Sequence, residues 1–212
     1  MRVLVLCGDY WHPGHVARQG LGPLVQAGFS FDWSEDPREW SVEVMHSYPL
    51  VVFARSNEGA SDERRPWMTG EIELAFKEYV RKGNGLLVIH SGSASYAEFP
   101  VLTALLGGAF THHPAQCQVT LEPQGSHPLA AGVSPFTVFD EHYFMDREPD
   151  TEVFMASRSE HGVQPAGWTR REGQGRVCLL TPGHKLEVWL HPAYQALLQK
   201  AFHWTAHTEN AR

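Results

Sequence analysis

Apolar residues fall first into short runs and only then into helical spacing. The runs Arg2–Gly8 (RVLVLCG), Phe29–Trp33 (FSFDW), Pro49–Arg55 (PLVVFAR) and Gly85–Ile89 (GLLVI) have strand length. Runs that are apolar without alternation, as in the first and last of these, suit strands buried on both faces of a parallel sheet. Between them, Val16, Leu21, Leu24 and Val25 predict a helix from about His15 to Ala27, stopped by Gly28. Ile72, Phe76, Tyr79 and Val80 predict a second helix within Met68–Gly83, and a short one is expected over Phe99–Leu106. Ser56–Trp67 is polar and irregular and reads as a loop.

The second half changes character. Gln116–Pro123, Phe136–Met145, Thr151–Ser157, Pro165–Arg171 and Gly175–Gly183 read as strands with short connections. A helix over Pro192–His207 closes the chain, and Thr208–Arg212 reads as a flexible tail. Strands and helices that alternate, followed by several strands and a helix, predict an α/β fold: a single domain with a mostly parallel central sheet flanked by helices. Ligands of open α/β sheets bind beyond the carboxyl ends of the strands. The loops after the first, third and fourth strands therefore matter most.

Composition narrows the function. The chain has 212 residues, a formal net charge of -7 and 42% hydrophobic residues. No basic footprint for nucleic acid or an anionic membrane is present. The longest apolar runs, such as LLVI and VVFA, are too short to span a bilayer. The apolar start lacks a long hydrophobic region and a cleavage site, so the expected location is the cytoplasm. Three cysteines, Cys7, Cys117 and Cys178, with no CxxC, support neither a disulfide framework nor a zinc knuckle.

Histidine is abundant, with 13 residues. Asp9, His12 and His15 follow the first strand. His90 and Ser91 follow the fourth, where an apolar strand ends in a polar ring and a turn of small residues. His112 and His113 follow a Gly-Gly turn. Asp140, Glu141 and His142 lie in FDEHYFM, and His184 follows GRVCLLTPG with Glu187 three residues on. Imidazoles and carboxylates at one strand rim suit proton transfer near neutral pH and equally suit a divalent metal such as zinc. The metal candidates are His12, His90, His113 and His184. The remaining histidines (His46, His127, His161, His191, His203 and His207) read as structural or surface residues.

GDYWHPGH, GNGLLVIHSG, LLGGAFTHHP, SHPLAAGV leading to FDEHYFM, GRVCLLTPGH with VW, and a closing FHW occur in this order. Over residues 2–206 the chain resembles the trehalose-utilisation (ThuA-like) family, which has the class I glutamine amidotransferase-like (flavodoxin-like) fold. The resemblance implies one ThuA-like domain over 1–207. It implies functional positions at Asp9, His12, His90, His113, Glu141 and His184, with His113 preferred to His112 because it precedes Pro114. In glutaminases of this fold the turn after the fourth strand carries a catalytic Cys. Here that position is His90, Gly92 keeps one glycine of the elbow, and Val88 replaces the other. The acidic partner of the glutaminase histidine would fall at Leu186, and Glu187 is one residue too far. The chain is therefore not expected to be a glutaminase.

The family implies sugar metabolism, through disaccharide use and oxidised (3-keto) sugars. The expected function is acid–base chemistry on a sugar or keto-sugar, as an isomerase, lyase or hydrolase, with metal assistance left open. His90 would serve as base, His184 as acid or orienter and Glu141 as the tuner of a histidine. Asp9, His12, His113 and Ser91 would bind substrate. One rival is a non-catalytic sugar-binding or regulatory module, marked by His90 and His184 too far apart to share a ligand. Another is a serine hydrolase using Ser91, although IHSGS departs from the Gly-x-Ser-x-Gly elbow at both glycines. The partner expected is a small carbohydrate, with self-association left open.

Overall fold

The computed structural model describes residues 1–58 and 66–208. The polar loop over Ser56–Trp67 lies partly outside the described residues, and of the tail Thr208–Arg212 only Thr208 is described. Strands β1 (Arg2–Cys7), β2 (Ser30–Ser34), β3 (Leu50–Ala54) and β4 (Gly85–Ile89) come first, followed by β5 (Gly108–His112) and β6 (Cys117–Pro123). Then come β7 (Phe136–Asp140), β8 (Phe144–Arg147), β9 (Glu152–Ser159), β10 (Gly162–Glu172) and β11 (Gly175–Leu180). Nine of these strands form one sheet in the order β2-β1-β3-β4-β11-β10-β9-β6-β7. Its first five strands pair in parallel. Its last four extend it antiparallel. The division follows the connections, since parallel neighbours need crossovers while short turns join antiparallel ones. The sheet is thus mixed, and the parallel sheet expected from the sequence is its first part.

Alternate side chains of the parallel strands feed two cores. Val3, Val5, Val52, Leu87, Ile89 and Cys178 face one. Leu4, Leu6, Val51, Phe53, Val88 and Leu179 face the other. Period-two alternation sends neighbours to opposite faces, so a strand apolar throughout is covered on both sides. The first core is roofed by α1 (Gly14–Leu21) and α6 (Pro192–Thr205). The second is covered by α3 (Gly70–Arg81) and α4 (Pro100–Leu106). The short helices α2 (Val42–His46) and α5 (Leu186–Trp189) complete the set. No helix among the described residues is long and apolar enough to cross a membrane.

Three elements depart from the sequence reading. The first helix ends at Leu21, and Gly22–Ala27 continues as a 3-10 segment. Pro23, which lacks an N–H, follows Gly22 at that boundary. The segment after Gly107 is not a bare turn. Gly108–His112 forms β5, which pairs with β8 in a separate two-stranded sheet. The single strand expected over Phe136–Met145 is two, because the chain leaves the main sheet at Asp140 and joins the small one at Phe144. Glu141, His142 and Tyr143 lie in that crossing.

Candidate functional site

The loop after β1 is organised by a buried carboxylate. Asp9 Oδ1 accepts from the backbone N–H groups of Trp11 at 2.9 Å and His12 at 3.0 Å, the pattern of an Asx turn. Oδ2 accepts from the Ser56 N–H at 2.8 Å, tying this loop to the end of β3. Oδ1 also lies 2.8 Å from His12 Nδ1. Burial raises the Asp9 pKa, but the His12 hydrogen bond and charge and the backbone donors outweigh it, so the net shift is downward. The ionised carboxylate therefore accepts from His12 Nδ1–H, which leaves Nε2 as the lone-pair nitrogen. Burial pulls the His12 pKa below its usual value despite Asp9. The lowered pKa favours the neutral ring, whose Nε2 is presented inward.

His90 follows β4 at once and opens a 3-10 turn, His90–Ser93. Its φ of 49° lies in the left-handed region, which is uncommon for a residue with a side chain. The turn is pressed against β3, and a Cβ on Gly92 would overlap the Phe53 carbonyl. This conformation lifts His90 out of the strand direction. Its Nδ1–H donates to the Thr181 carbonyl at 2.7 Å, just past the neighbouring β11. Its Nε2 faces the Glu141 carboxylate at 3.3 Å and the Tyr143 hydroxyl at 3.1 Å. The Tyr143 ring stacks on it with centroids 4.3 Å apart.

His184 is set by the turn Thr181–Gly183. The Tyr194 hydroxyl donates to the Pro182 carbonyl at 2.8 Å, and Trp189 Nε1–H to the Gly183 carbonyl at 2.7 Å. Asp140, buried at the end of β7, accepts from the backbone N–H groups of Gly183 at 2.8 Å and His184 at 3.1 Å. His184 Nδ1 comes within 3.2 Å of Glu141 Oε1, but the two are not aligned as a hydrogen bond. His113 Nε2 lies 3.6 Å from the same oxygen and is more exposed. Burial raises the Glu141 pKa, but His184 and His90 overcome it and hold the carboxyl well below its ordinary range. Burial lowers the His90 pKa, but Glu141 and Asp140 more than offset this, so the net shift is upward. His90 and Glu141 thus favour the charged pair.

Of the residues expected from the sequence, His12, His90, Glu141 and His184 bring ligand-type atoms within 4.8 Å of one another. Asp9 supports them from behind, and His113 stands at the edge. Ser91 is buried in the elbow, and no hydrogen bond joins it to His184 among the described residues. His15 and Glu187 are exposed, and Glu187 lines a different cleft. His142 turns away from the site to Ser159 and Ser157, at 2.7 Å and 3.0 Å. Tyr143 was missed by the sequence reading. Its signal was position, because in extended chain Glu141 and Tyr143 share a face and His142 takes the other. A pocket of about 380 Å³ opens above the cluster, with Trp11, Phe110, His113 and Tyr143 in its wall.

The sequence matches the family model described as trehalose utilisation, ThuA, over residues 2–205. The chain belongs to the ThuA family. Three solved structures share the fold. A ThuA-like protein from Parabacteroides merdae is 18% identical, with a TM-score of 0.75, over 97% of this chain and 90% of that one. A cytoplasmic protein from Salmonella typhimurium LT2 is 14% identical, with a TM-score of 0.73, over 97% of this chain and 99% of that one. A cold-adapted β-galactosidase from Rahnella sp. R3 is 12% identical, with a TM-score of 0.68, over 94% of this chain but only 31% of that one. A comparison with curated proteins found no match. In this ThuA-family chain the cluster lies at the carboxyl ends of β1, β4 and β11, where open α/β sheets place their ligands.

Proposed function

We propose that this ThuA-family chain is an enzyme that moves protons beside the carbonyl of a sugar or keto-sugar. The observation that carries the reading is the place of Glu141, whose carboxylate lies 3.3, 3.2 and 3.6 Å from nitrogens of His90, His184 and His113. Donors and acceptors that close can take a proton from substrate and return it elsewhere. A keto group acidifies the neighbouring C–H, and the Tyr143 hydroxyl is a neutral donor for the oxygen that gains charge, because burial pushes its pKa well up. The pocket above has the size of a small-molecule site and an aromatic and polar wall. The trehalose-utilisation family supports a carbohydrate substrate. The strand order β2-β1-β3-β4-β11 is that of flavodoxin-like sheets and supports an amidotransferase-like scaffold. Glutaminase chemistry is not part of the proposal, since His90 occupies the elbow. The sign of a binding module, His90 and His184 too far apart to share a ligand, is not seen, since their ring centroids are 5.6 Å apart, and this favours the enzyme reading.

The test is turnover of a panel of oxidised and unoxidised disaccharides. His90→Gln should lower kcat by roughly 10²–10⁴-fold, the usual size of a lost acid–base group, with little change in KM. Ser91→Ala should cost far less. Full turnover in His90→Gln beside a dead Ser91→Ala would replace this reading with a serine hydrolase.

A further inference from the structure

Four side chains from four separate loops converge on one point. Among the described residues His12 Nε2 is buried there with no hydrogen-bond partner, and His184 Nδ1 is buried with none that is aligned, Glu141 Oε1 lying 3.2 Å away off the bonding direction. A buried polar atom left unpaired is costly, so two in one place indicate a missing partner. The partner's chemistry follows from the lining. His12 and His90 are both held from behind at Nδ1, by the Asp9 carboxylate and the Thr181 carbonyl. Each arrangement makes Nδ1 the donor and leaves the Nε2 lone pair for the centre. Metal-ligating histidines are oriented in this way, the far nitrogen donating to a carboxylate or a backbone carbonyl. With His90 deprotonated and the Glu141 carboxylate added, the cluster presents acceptors inward. One proton between His90 and Glu141 satisfies only that pair, whereas a cation satisfies all four groups.

We infer that His12 Nε2, His90 Nε2, His184 Nδ1 and the Glu141 carboxylate form a binding site for one divalent transition metal of the zinc type. Nitrogen donors with one carboxylate suit zinc and its first-row neighbours, whereas calcium and magnesium favour oxygen-rich sites. Ligand atoms of a tetrahedral zinc lie about 3.4 Å apart, given bonds of about 2.1 Å. The Glu141 oxygens stand 3.3 Å and 3.2 Å from the His90 and His184 nitrogens, close to that spacing. The whole set spans no more than 4.8 Å, so small side-chain adjustments complete it. His113 lies outside the four, at the pocket edge. Asp9 is a positioning residue that acts through His12. The inference deepens the proposed function and rests on it only for what the metal does. There the metal would polarise a sugar carbonyl or bind a water, proton transfer would fall to His113 and Tyr143, and the loss of turnover in His90→Gln would come with a loss of bound metal.

The experiment uses the full chain without a histidine tag. Elemental analysis of purified protein should find about one transition metal per chain. After removal by chelator, added Zn²⁺ should bind again and raise Tm, and Co²⁺ should give visible d–d bands. His12→Gln and His184→Ala should lose at least tenfold in Zn²⁺ affinity, while His113→Gln should bind like the wild type. Asp9→Asn should weaken binding by roughly 10–100-fold, the usual effect of losing such an orienting group. Should that variant fail to fold, the two ligand variants carry the test. A stripped wild-type chain that takes up none of Zn²⁺, Mn²⁺, Fe²⁺, Co²⁺ or Ni²⁺ overturns the site, as does wild-type Zn²⁺ affinity in His12→Gln. Undiminished disaccharide turnover by the stripped chain removes the metal and keeps the proposed function. A metal-loaded chain inert toward every disaccharide in the panel keeps the metal and removes the carbohydrate reading.

Discussion

His90 pays for its position with a left-handed backbone, φ 49°, that only packing on both sides maintains. The sequence made its place legible, because an apolar run ending in a polar ring needs partners for that ring. It did not reveal the partners. Thr181 contributes a backbone carbonyl, which no residue type announces. Tyr143 looked like one more aromatic in a strand, and only the break between β7 and β8 turns it toward His90. Cys7 illustrates the opposite outcome. It ends β1 near the site, but burial pushes its thiol up to about 12, so it carries almost no thiolate at neutral pH. Cys117 and Cys178 are also buried. Ellman's reagent at pH 8 should therefore label none of the three within minutes in the native chain and all three in denaturant. Rapid native labelling of Cys7 would return a thiol nucleophile to consideration.

Elements were legible where hydrophobic period and boundary residues agreed. The strands β1, β3 and β4 and the helices α3 and α6 lie close to their expected places for that reason. The expected first helix overran because apolar spacing continues past Leu21 while Pro23 interrupts the hydrogen-bond ladder. The small β5–β8 sheet was not read as such because its pairing is decided by distant chain. Tertiary contacts also complete a helix end that its own sequence leaves open. At the start of α4, Phe99 supplies no side-chain cap. Glu73 of α3 reaches across instead, accepting from the N–H groups of Val101 and Leu102, both at 2.9 Å. A carboxylate at a helix N-terminus also opposes the positive end of the helix dipole. Glu73→Ala leaves two donors without an acceptor and should cost about 1–3 kcal/mol. Urea unfolding should show the loss as a lower midpoint at unchanged slope. A midpoint within error of the wild type would mean that water caps the helix equally well.

The whole molecule joins two half-sites. The parallel strands deliver Asp9, His12, His90 and His184, and the chain leaving the antiparallel part delivers Glu141 and Tyr143. Asp140 fastens the halves through the Gly183 and His184 backbone. The same antiparallel part carries two histidines outside the site that should set the acid limit of stability. His127 Nδ1 accepts from the Leu129 N–H at 3.2 Å, and its Nε2 meets Thr169 Oγ1 at 3.1 Å. Burial lowers its pKa, with Glu152 opposing and Arg176 assisting. Burial likewise lowers that of His142, opposed by Ser157 and assisted by the charge of His161. Both are buried in the folded chain. In the unfolded chain each titrates near 6.5. Below that pH these two sites hold more protons in the unfolded chain than in the folded one, so their contribution to stability falls as pH falls. Each group steepens the decline by at most about 1.4 kcal/mol per pH unit, until its own folded pKa is passed. His90 acts in the other window. Its raised folded pKa gives stability below about 6.5 that is lost as pH rises through the folded value. Urea unfolding at pH 7.5, 6.5 and 5.5 separates these contributions. His127→Gln and His142→Gln should each flatten the decline between pH 6.5 and 5.5, and their effects should add. A decline unchanged in both variants would assign the acid limit to the carboxylates instead.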